Sequence, residues 1–418
     1  VTTLPDHRPA LPGLAPDVIE HLLTLDARDP LAHKRAEFTL PEGVVYLDGN
    51  SLGAMPRAVP DRLARVLHGE WGEALIRSWT AGADRGEDWM ALPDRVAAKV
   101  ARLIGAQAHE VAVGDSTSVN LFKVLAAALH LNPDRRVILT DAENFPTDLY
   151  VAQGLGELLG RGHELRRVPA REIAAQLTPD VAAVLLTEVD YRTGERLDMA
   201  AVTAAAHAQG VLTVWDLAHS AGAFPVDLRG AGADFAVGCG YKYLNGGPGA
   251  PAFVFVAERH LPHAPTALSG WMGHADPFEM ERSYRPAENA RRFVVGTPQV
   301  LSLSALDTAL DVFEDVNLGD LRAKSLSLTD TFIELMAPLG ERFPLTLATP
   351  LDHARRGSQV SYRHPDAARV MARLTGRGII GDFRTPDILR FGFTPLYHSH
   401  LDVARAVLGV QAVLEEQA

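Results

Sequence analysis

Lys242 lies in Gly238-Cys239-Gly240-Tyr241-Lys242-Tyr243-Leu244-Asn245-Gly246-Gly247-Pro248-Gly249, an apolar, glycine-rich run. A lysine amine, with a free pKa of about 10.4, is a weak nucleophile. Joined to an aldehyde as an imine, it stays at the reacting centre as nucleophile and proton shuttle. The surrounding glycines let the backbone approach a ligand closely. A random lysine is a surface cation, and this context argues against that. A second motif is Asp216-Leu217-Ala218-His219, at the end of an apolar strand. A buried acid is costly unless paired. A protonated ring nitrogen would pair it, and the carboxylate would keep that ring an electron sink. On these residues alone a helix cap or a structural ion pair serves as well. Gly114-Asp115-Ser116-Thr117-Ser118 runs into a helix. Hydroxyls and free N–H groups there suit a phosphate, although Ser or Thr in such a place is more often only an N-cap. Phe145, in Asp141-Ala142-Glu143-Asn144-Phe145-Pro146-Thr147-Asp148, either stacks on a planar ring or tucks into the core.

These residues need a frame, and the hydropathy pattern supplies one. From about 88 to 260 apolar strands alternate with helices. Strands are expected over 110–113, 136–140, 181–186, 211–215 and 235–237. Helices are expected over 89–104, 119–130, 148–159 and 199–209. That alternation means an α/β fold with a mostly parallel sheet covered on both faces. Ligands bind such sheets beyond the carboxyl ends of the strands, where the polar motifs fall. A short strand over 44–48 leads into the turn Gly49-Asn50-Ser51-Leu52-Gly53, and a helix is expected over 56–71. After Pro298 the pattern changes to long helices over 300–313 and 318–336. Strands near 359–362 and 388–393 and helices over 365–374 and 401–416 follow. We therefore expect an N-terminal arm over 1–43, a large domain over 44–298 and a smaller α+β domain over 299–418.

Composition narrows the function. The net charge is −12, which disfavours a nucleic-acid partner because phosphate backbones need clustered cations. Cys239 stands alone, so neither an intrachain disulfide nor a cysteine-based zinc site forms. We expect an intracellular, cytoplasmic protein. Residues 1–16 carry four prolines and no apolar run, unlike a signal peptide. No stretch approaches the roughly 20 apolar residues of a membrane span. The pairs His260/His263 and His398/His400 lack a carboxylate in a recognisable metal motif, so no metal is expected.

Taken together, the motifs resemble a known family. Strand–Asp216-x-x-His219 followed by Lys242 looks like fold type I of the pyridoxal-phosphate enzymes, the aspartate-aminotransferase-like superfamily. More narrowly, six strings in order resemble kynureninase. They are Gly49-Asn50-Ser51-Leu52-Gly53, Asn144-Phe145-Pro146-Thr147-Asp148, Asp216-Leu217-Ala218-His219, Tyr241-Lys242-Tyr243-Leu244-Asn245, Gly270-Trp271-Met272-Gly273-His274 and Thr394-Pro395-Leu396-Tyr397. They run from Gly49 to Tyr397, so the resemblance covers most of the chain, from about residue 44 to 400.

The resemblance implies hydrolytic Cβ–Cγ cleavage of L-kynurenine to anthranilate and L-alanine, in tryptophan degradation and NAD biosynthesis. It implies that Lys242 carries pyridoxal 5'-phosphate, that Asp216 pairs with the ring nitrogen and that Phe145 stacks on the ring. Thr117, Ser118 and Tyr241 would reach the phosphate, with Trp271 and Thr297 supplied by the partner of a homodimer. Pro146, Thr147, Asp148, Thr187 and His219 would line the cofactor. Arg390, with Asn50 and Ser51, would hold the substrate; its planar fork matches a carboxylate. Tyr241 is the candidate for proton transfer at the substrate carbonyl. Thr297, where animal members carry Asn, implies a preference for kynurenine over 3-hydroxykynurenine.

Other readings stay open. A cysteine desulfurase needs a thiol on a mobile loop well after the lysine, and Cys239 precedes it by three residues. A selenocysteine lyase or an aminotransferase on the same fold is not excluded. A catalytically silent binding module would be expected to lose Lys242, Asp216 or Arg390, and all three are present.

Overall fold

The computed structural model describes residues 11, 13–80 and 88–417. Much of the proline-rich start of the expected arm therefore lies outside the described residues. The main sheet has seven strands: β1 (Val111–Val113), β2 (Val137–Asp141), β3 (Glu164–Val168), β4 (Val181–Thr187), β5 (Leu212–Asp216), β6 (Phe235–Gly238) and β7 (Phe253–Val256). Their spatial order is β1-β7-β6-β5-β4-β2-β3. Strands β2 to β6 pair in parallel, and β7 runs antiparallel to both β6 and β1. Helix α1 (Leu92–Leu103) leads into β1, and helices α2 (Thr117–Leu131), α3 (Pro146–Leu159) and α4 (Met199–Ala208) lie in the connections between strands. β6 and β7 are buried at every position, and β4 at all but its last, as strands covered on both faces must be.

Two strands of this sheet escape the hydropathy pattern. β3 is the edge strand, and its Glu-Leu-Arg-Arg-Val sequence is only partly buried. Charged side chains protect such an edge and erase the apolar signal. β7 is a four-residue apolar run close behind Gly246-Gly247-Pro248-Gly249, too short to show a period. The helix expected over 56–71 is instead an α-helix (Val59–Arg65) that widens into a π-helical stretch (Val66–Glu73). Side chains fix the wider turn: Arg62 pairs with Glu70 at 2.6 Å, and Glu70 Oε2 accepts from Trp89 Nε1 at 2.7 Å.

The second core surrounds a four-stranded antiparallel sheet of β8 (Thr346–Leu347), β9 (Gln359–Arg363), β10 (Asp382–Arg384) and β11 (Ile388–Gly392). Its order is β8-β9-β11-β10. Besides α5 (Val300–Asp311), the C-terminal part supplies α6 (Leu318–Arg342), α7 (Ala367–Gly376) and α8 (His400–Glu415). Leu328, Phe332, Val370, Leu374, Val407 and Val410 pack with Val360 and Phe391. Two segments pack across the boundaries expected from sequence. Val45 and Leu47 join this second core, through a strand pair between Val45–Tyr46 and Ile379–Ile380. Leu303, Leu306 and Leu310 of α5 pack instead with the first core.

Parallel pairing lines up the strand ends. Thr187 at the end of β4 lies opposite Asp216 at the end of β5, and Asp216 lies opposite Val237 of β6. The loops that leave these ends carry the candidate residues, in the crevice where open sheets bind ligands.

Candidate active site

Lys242 Nζ lies 2.9 Å from His219 Nε2, and the amine acts on the Asp216 carboxylate at the end of β5. Asp216 Oδ1 accepts the Ala218 N–H at 2.7 Å in a local turn. Asp148, on the first turn of α3, is buried beside Asp216. Burial pushes both carboxyls up, and each is pulled back by the Lys242 charge; Asp148 is raised further by Asp216. Burial holds the Lys242 amine below its ordinary value, with Arg390 and Arg384 acting in the same direction. His219 is held well below its ordinary range by burial and by Lys242, so the ring is neutral. Burial pushes the Tyr241 hydroxyl up to about 12, which keeps it a proton donor at neutral pH.

The residues fit a pyridoxal-phosphate group. Asp148 Oδ2 is buried without a hydrogen-bond partner, next to a second buried carboxyl. Such a pair lacks one cationic donor, and a protonated ring nitrogen is one. At the other end β1 turns through Asp115, with φ +53°, into α2. Ser116 Oγ caps the helix by accepting from Val119 N at 3.4 Å. The N–H groups of Thr117 and Ser118, in the first turn, have no intrahelical acceptor and meet the positive end of the helix dipole. Asp115 does not leave a bare negative charge there, because buried Lys123 pairs with it at 2.8 Å. Phe145 is the exposed N-cap of α3, which continues with Pro146 and Thr147. Its ring meets Tyr191 edge-on at 5.2 Å. Asn144 organises this corner: its Oδ1 accepts from Phe145 N at 2.7 Å and from the Thr187 hydroxyl.

Arg390, in β11, is almost fully buried. Its Nε and Nη2 donate to Asp382 at 3.0 and 2.6 Å, Nη2 to Ser51 Oγ at 2.7 Å and Nη1 to the Tyr191 carbonyl at 2.7 Å. Asn50 is buried and donates to Gln359 Oε1 at 3.1 Å. The turn that carries Asn50 and Ser51 is wedged between the two halves of the site. Asp48 bridges Gly392 of β11. Gly53 N donates to Tyr241 O at 2.8 Å, and a Cβ on Gly53 would stand 2.3 Å from the Lys242 carbonyl oxygen.

Of the residues expected from sequence, Lys242, His219, Asp216, Asp148, Thr187, Asn50, Ser51 and Arg390 are linked in this one region by the contacts above. Trp271 and Thr297 are not among those contacts; both are exposed, Trp271 opening a 3-10 turn (Trp271–Gly273) and Thr297 on a segment that packs near it where Gly270 abuts Val295. Sequence reasoning missed Asp382, Arg384, Gln359, Asn144, Tyr191 and Asp48 as parts of the site. Asp382 belongs to the site because the antiparallel pair of β10 and β11 sets it opposite Arg390. Gln359 gave no local signal.

A family model described as the kynureninase C-terminal domain matches residues 321–409. The chain is 73% identical over 398 residues to a kynureninase of Deinococcus radiodurans, covering 95% of this chain and 97% of that one. It is 50% identical over 400 residues to a kynureninase of Pseudomonas fluorescens, covering 94% and 95%. Among solved structures, a cysteine desulfurase of Thermococcus onnurineus superposes with a TM-score of 0.77 at 20% identity, covering 93% of this chain and 99% of that one. A C-DES variant with glycine covalently linked to its PLP cofactor gives 0.77 at 17% identity, covering 90% and 98%. At these identities the structural likeness shows the fold alone, that of the PLP-dependent fold type I enzymes.

Proposed function

The chain belongs to the kynureninase family, and from that premise we propose how its own residues divide the family's reaction. That reaction is the pyridoxal-phosphate-dependent hydrolysis of the Cβ–Cγ bond of kynurenine to anthranilate and alanine, a step of tryptophan catabolism. When bound, pyridoxal phosphate supplies the electron sink for carbanion chemistry at the substrate.

The observation that carries the assignment is the buried amine of Lys242, 2.9 Å from a neutral imidazole and facing two buried carboxyls. Lys242 is the covalent anchor and the base that moves the α-proton, and burial, by lowering its pKa, frees the amine more readily than that of an exposed lysine. Asp216 and Asp148 hold positive charge at the ring nitrogen. Thr117, Ser118 and the N-terminus of α2 bind the phosphate, and Phe145 covers the ring. Arg390, set by Asp382 and Ser51, takes the substrate carboxylate, with Asn50 beside it. Tyr241, whose hydroxyl burial pushes up to about 12, is protonated at neutral pH and delivers that proton at the substrate carbonyl. A desulfurase role finds no support, since the Cys239 thiol is buried and donates to Ala218 O at 3.8 Å.

We further propose a cytoplasmic homodimer in which Trp271 and Thr297 complete the partner's phosphate site. Kynurenine would be preferred over 3-hydroxykynurenine, and the product would serve NAD biosynthesis where that route operates. The exposed Trp271 supports the dimer, as large aromatics favour interfaces. Adding kynurenine to the protein loaded with pyridoxal phosphate should release anthranilate, read by its fluorescence. Sulfide release from cysteine without anthranilate from kynurenine would reject the reading. For the dimer, K242A and a Trp271→Ala/Thr297→Ala variant, each impaired, should regain activity on mixing, because each mixed dimer holds one intact site. No recovery on mixing rejects the shared site.

A further inference from the structure

We propose that Gln359 is a positioning residue that fixes the tautomer of His219, aiming the Nε2 lone pair at the amine of Lys242. The proposal rests on Lys242 being the reactive amine and assigns it a partner.

Gln359 opens β9 and is 1% exposed. Its amide nitrogen donates to the carbonyls of Asp190 and Tyr191 at 3.3 and 3.2 Å. Turning the amide over would set its oxygen against two carbonyl oxygens, so those carbonyls fix its orientation. Oε1 therefore points the other way, 3.1 Å from Asn50 Nδ2 and 3.2 Å from His219 Nδ1. An amide oxygen only accepts, so the proton of the neutral ring sits on Nδ1. Nε2 is left with its lone pair, 2.9 Å from Lys242 Nζ. The amine must be the donor in that contact.

The backbone leaves Gln359 little room to adjust. A Cβ on Gly194, at φ +74°, would stand 2.7 Å from Gln359 Cγ and 2.9 Å from its carbonyl oxygen. The Tyr191 carbonyl that orients Gln359 also accepts from Arg390 Nη1 at 2.7 Å. One peptide group thus ties the tautomer to the carboxylate-binding arginine. Besides His219, the charged and titratable groups Cys239, Asp216, Arg390, Arg384 and Asp148 act on the Lys242 amine, and the Tyr241 ring centroid lies 5.9 Å from it. Only the imidazole changes from acceptor to donor by tautomerising.

An acceptor held on the amine favours its protonated form. The test uses the full-length chain stripped of cofactor. Acetic anhydride competes for its lysines over a pH series, and mass spectrometry follows acetylation of the Lys242 peptide. In Gln359→Met the midpoint for Lys242 should fall by about half a pH unit or more, roughly threefold in the protonation equilibrium. In the His219→Phe background the same substitution should shift nothing further. An unmoved midpoint in Gln359→Met, or an equal shift with and without His219, overturns the proposal. Should Gln359→Met not fold, the wild-type chain decides. With ¹⁵N-labelled histidine, the signal lost in His219→Phe should show a protonated Nδ1 and a bare Nε2, and the opposite tautomer overturns the proposal. Turnover retained by K242A would sink the role of Lys242 and leave the tautomer result standing, so the two failures are distinguishable.

Discussion

Arg390→Lys isolates what the guanidinium does beyond carrying charge. A guanidinium has five N–H donors, and in Arg390 two reach Asp382, one Ser51 and one the Tyr191 carbonyl. One N–H on Nη1 is uncommitted, and the bond to the neutral Ser51 hydroxyl is the easiest to exchange. A substrate carboxylate thus finds two parallel donors on the Nη1–Nη2 edge, while Asp382 holds the opposite edge in place. Lysine keeps the charge and loses the fork. Losing one hydrogen bond to a charged group costs about 1.5–3 kcal/mol, or roughly tenfold to 150-fold in affinity. The assay compares inhibition constants for two aryl-ketone inhibitors, one with and one without an α-carboxylate. The carboxylate inhibitor should weaken by that factor, and the other by less than about threefold. Equal weakening of both would mean that Arg390 only braces the second sheet, and no weakening would mean that the carboxylate binds elsewhere.

Lys242→Ala should abolish turnover together with the absorption band of the lysine-bound cofactor; steady-state anthranilate release by that variant would refute the assignment. Asp48→Asn should change the pH response. Burial and the Asp382 charge push the Asp48 carboxyl up to about 6, against Ser51 and the two arginines. A folded value above the ordinary one means the proton favours the folded state, so stability is lost as pH rises from about 4 to about 6. Chemical denaturation across that range should show a smaller loss in Asp48→Asn than in the wild type, the other raised carboxyls accounting for what remains. Ionised Asp48 also opposes carboxylate binding at Arg390, so the carboxylate inhibitor should weaken through pH 6 only in the wild type. Asp382→Ala should destabilise the chain by about 3–5 kcal/mol in urea, less whatever Ser51 and the Tyr191 carbonyl return, because it strips a buried guanidinium of its counter-ion.

The parts of the site that were legible in sequence are those a local pattern carries. A buried parallel strand is an apolar run, so β4 and β5 announced themselves, and the polar residues at their ends stood out by contrast. Lys242 was visible because glycines surround it. What escaped depends on tertiary pairing. Asp382 matters because antiparallel register sets it against Arg390, and register is not written in either segment alone. Gln359 matters because two carbonyls from a distant loop decide which way its amide faces. The same distinction explains the chain's crossings between cores. Val45 and Leu47 read as an ordinary short strand, and only their pairing with Ile379–Ile380 places them in the second core. β3 and the widened helix over 66–73 were hidden by charge and by side-chain bonds that no periodicity encodes.

The wedge of residues from Asp48 to Gly53 works as a ruler. One end is pinned to β11 and the other to the backbone of the lysine loop. The separation between guanidinium and amine is therefore a length set by six residues of main chain. A methyl group at Gly53 would lengthen that ruler by shoving aside a carbonyl, without altering any reactive atom. Discrimination among amino acids by the spacing of their carboxylate and amino groups is in this sense calibrated by a turn that performs no chemistry of its own.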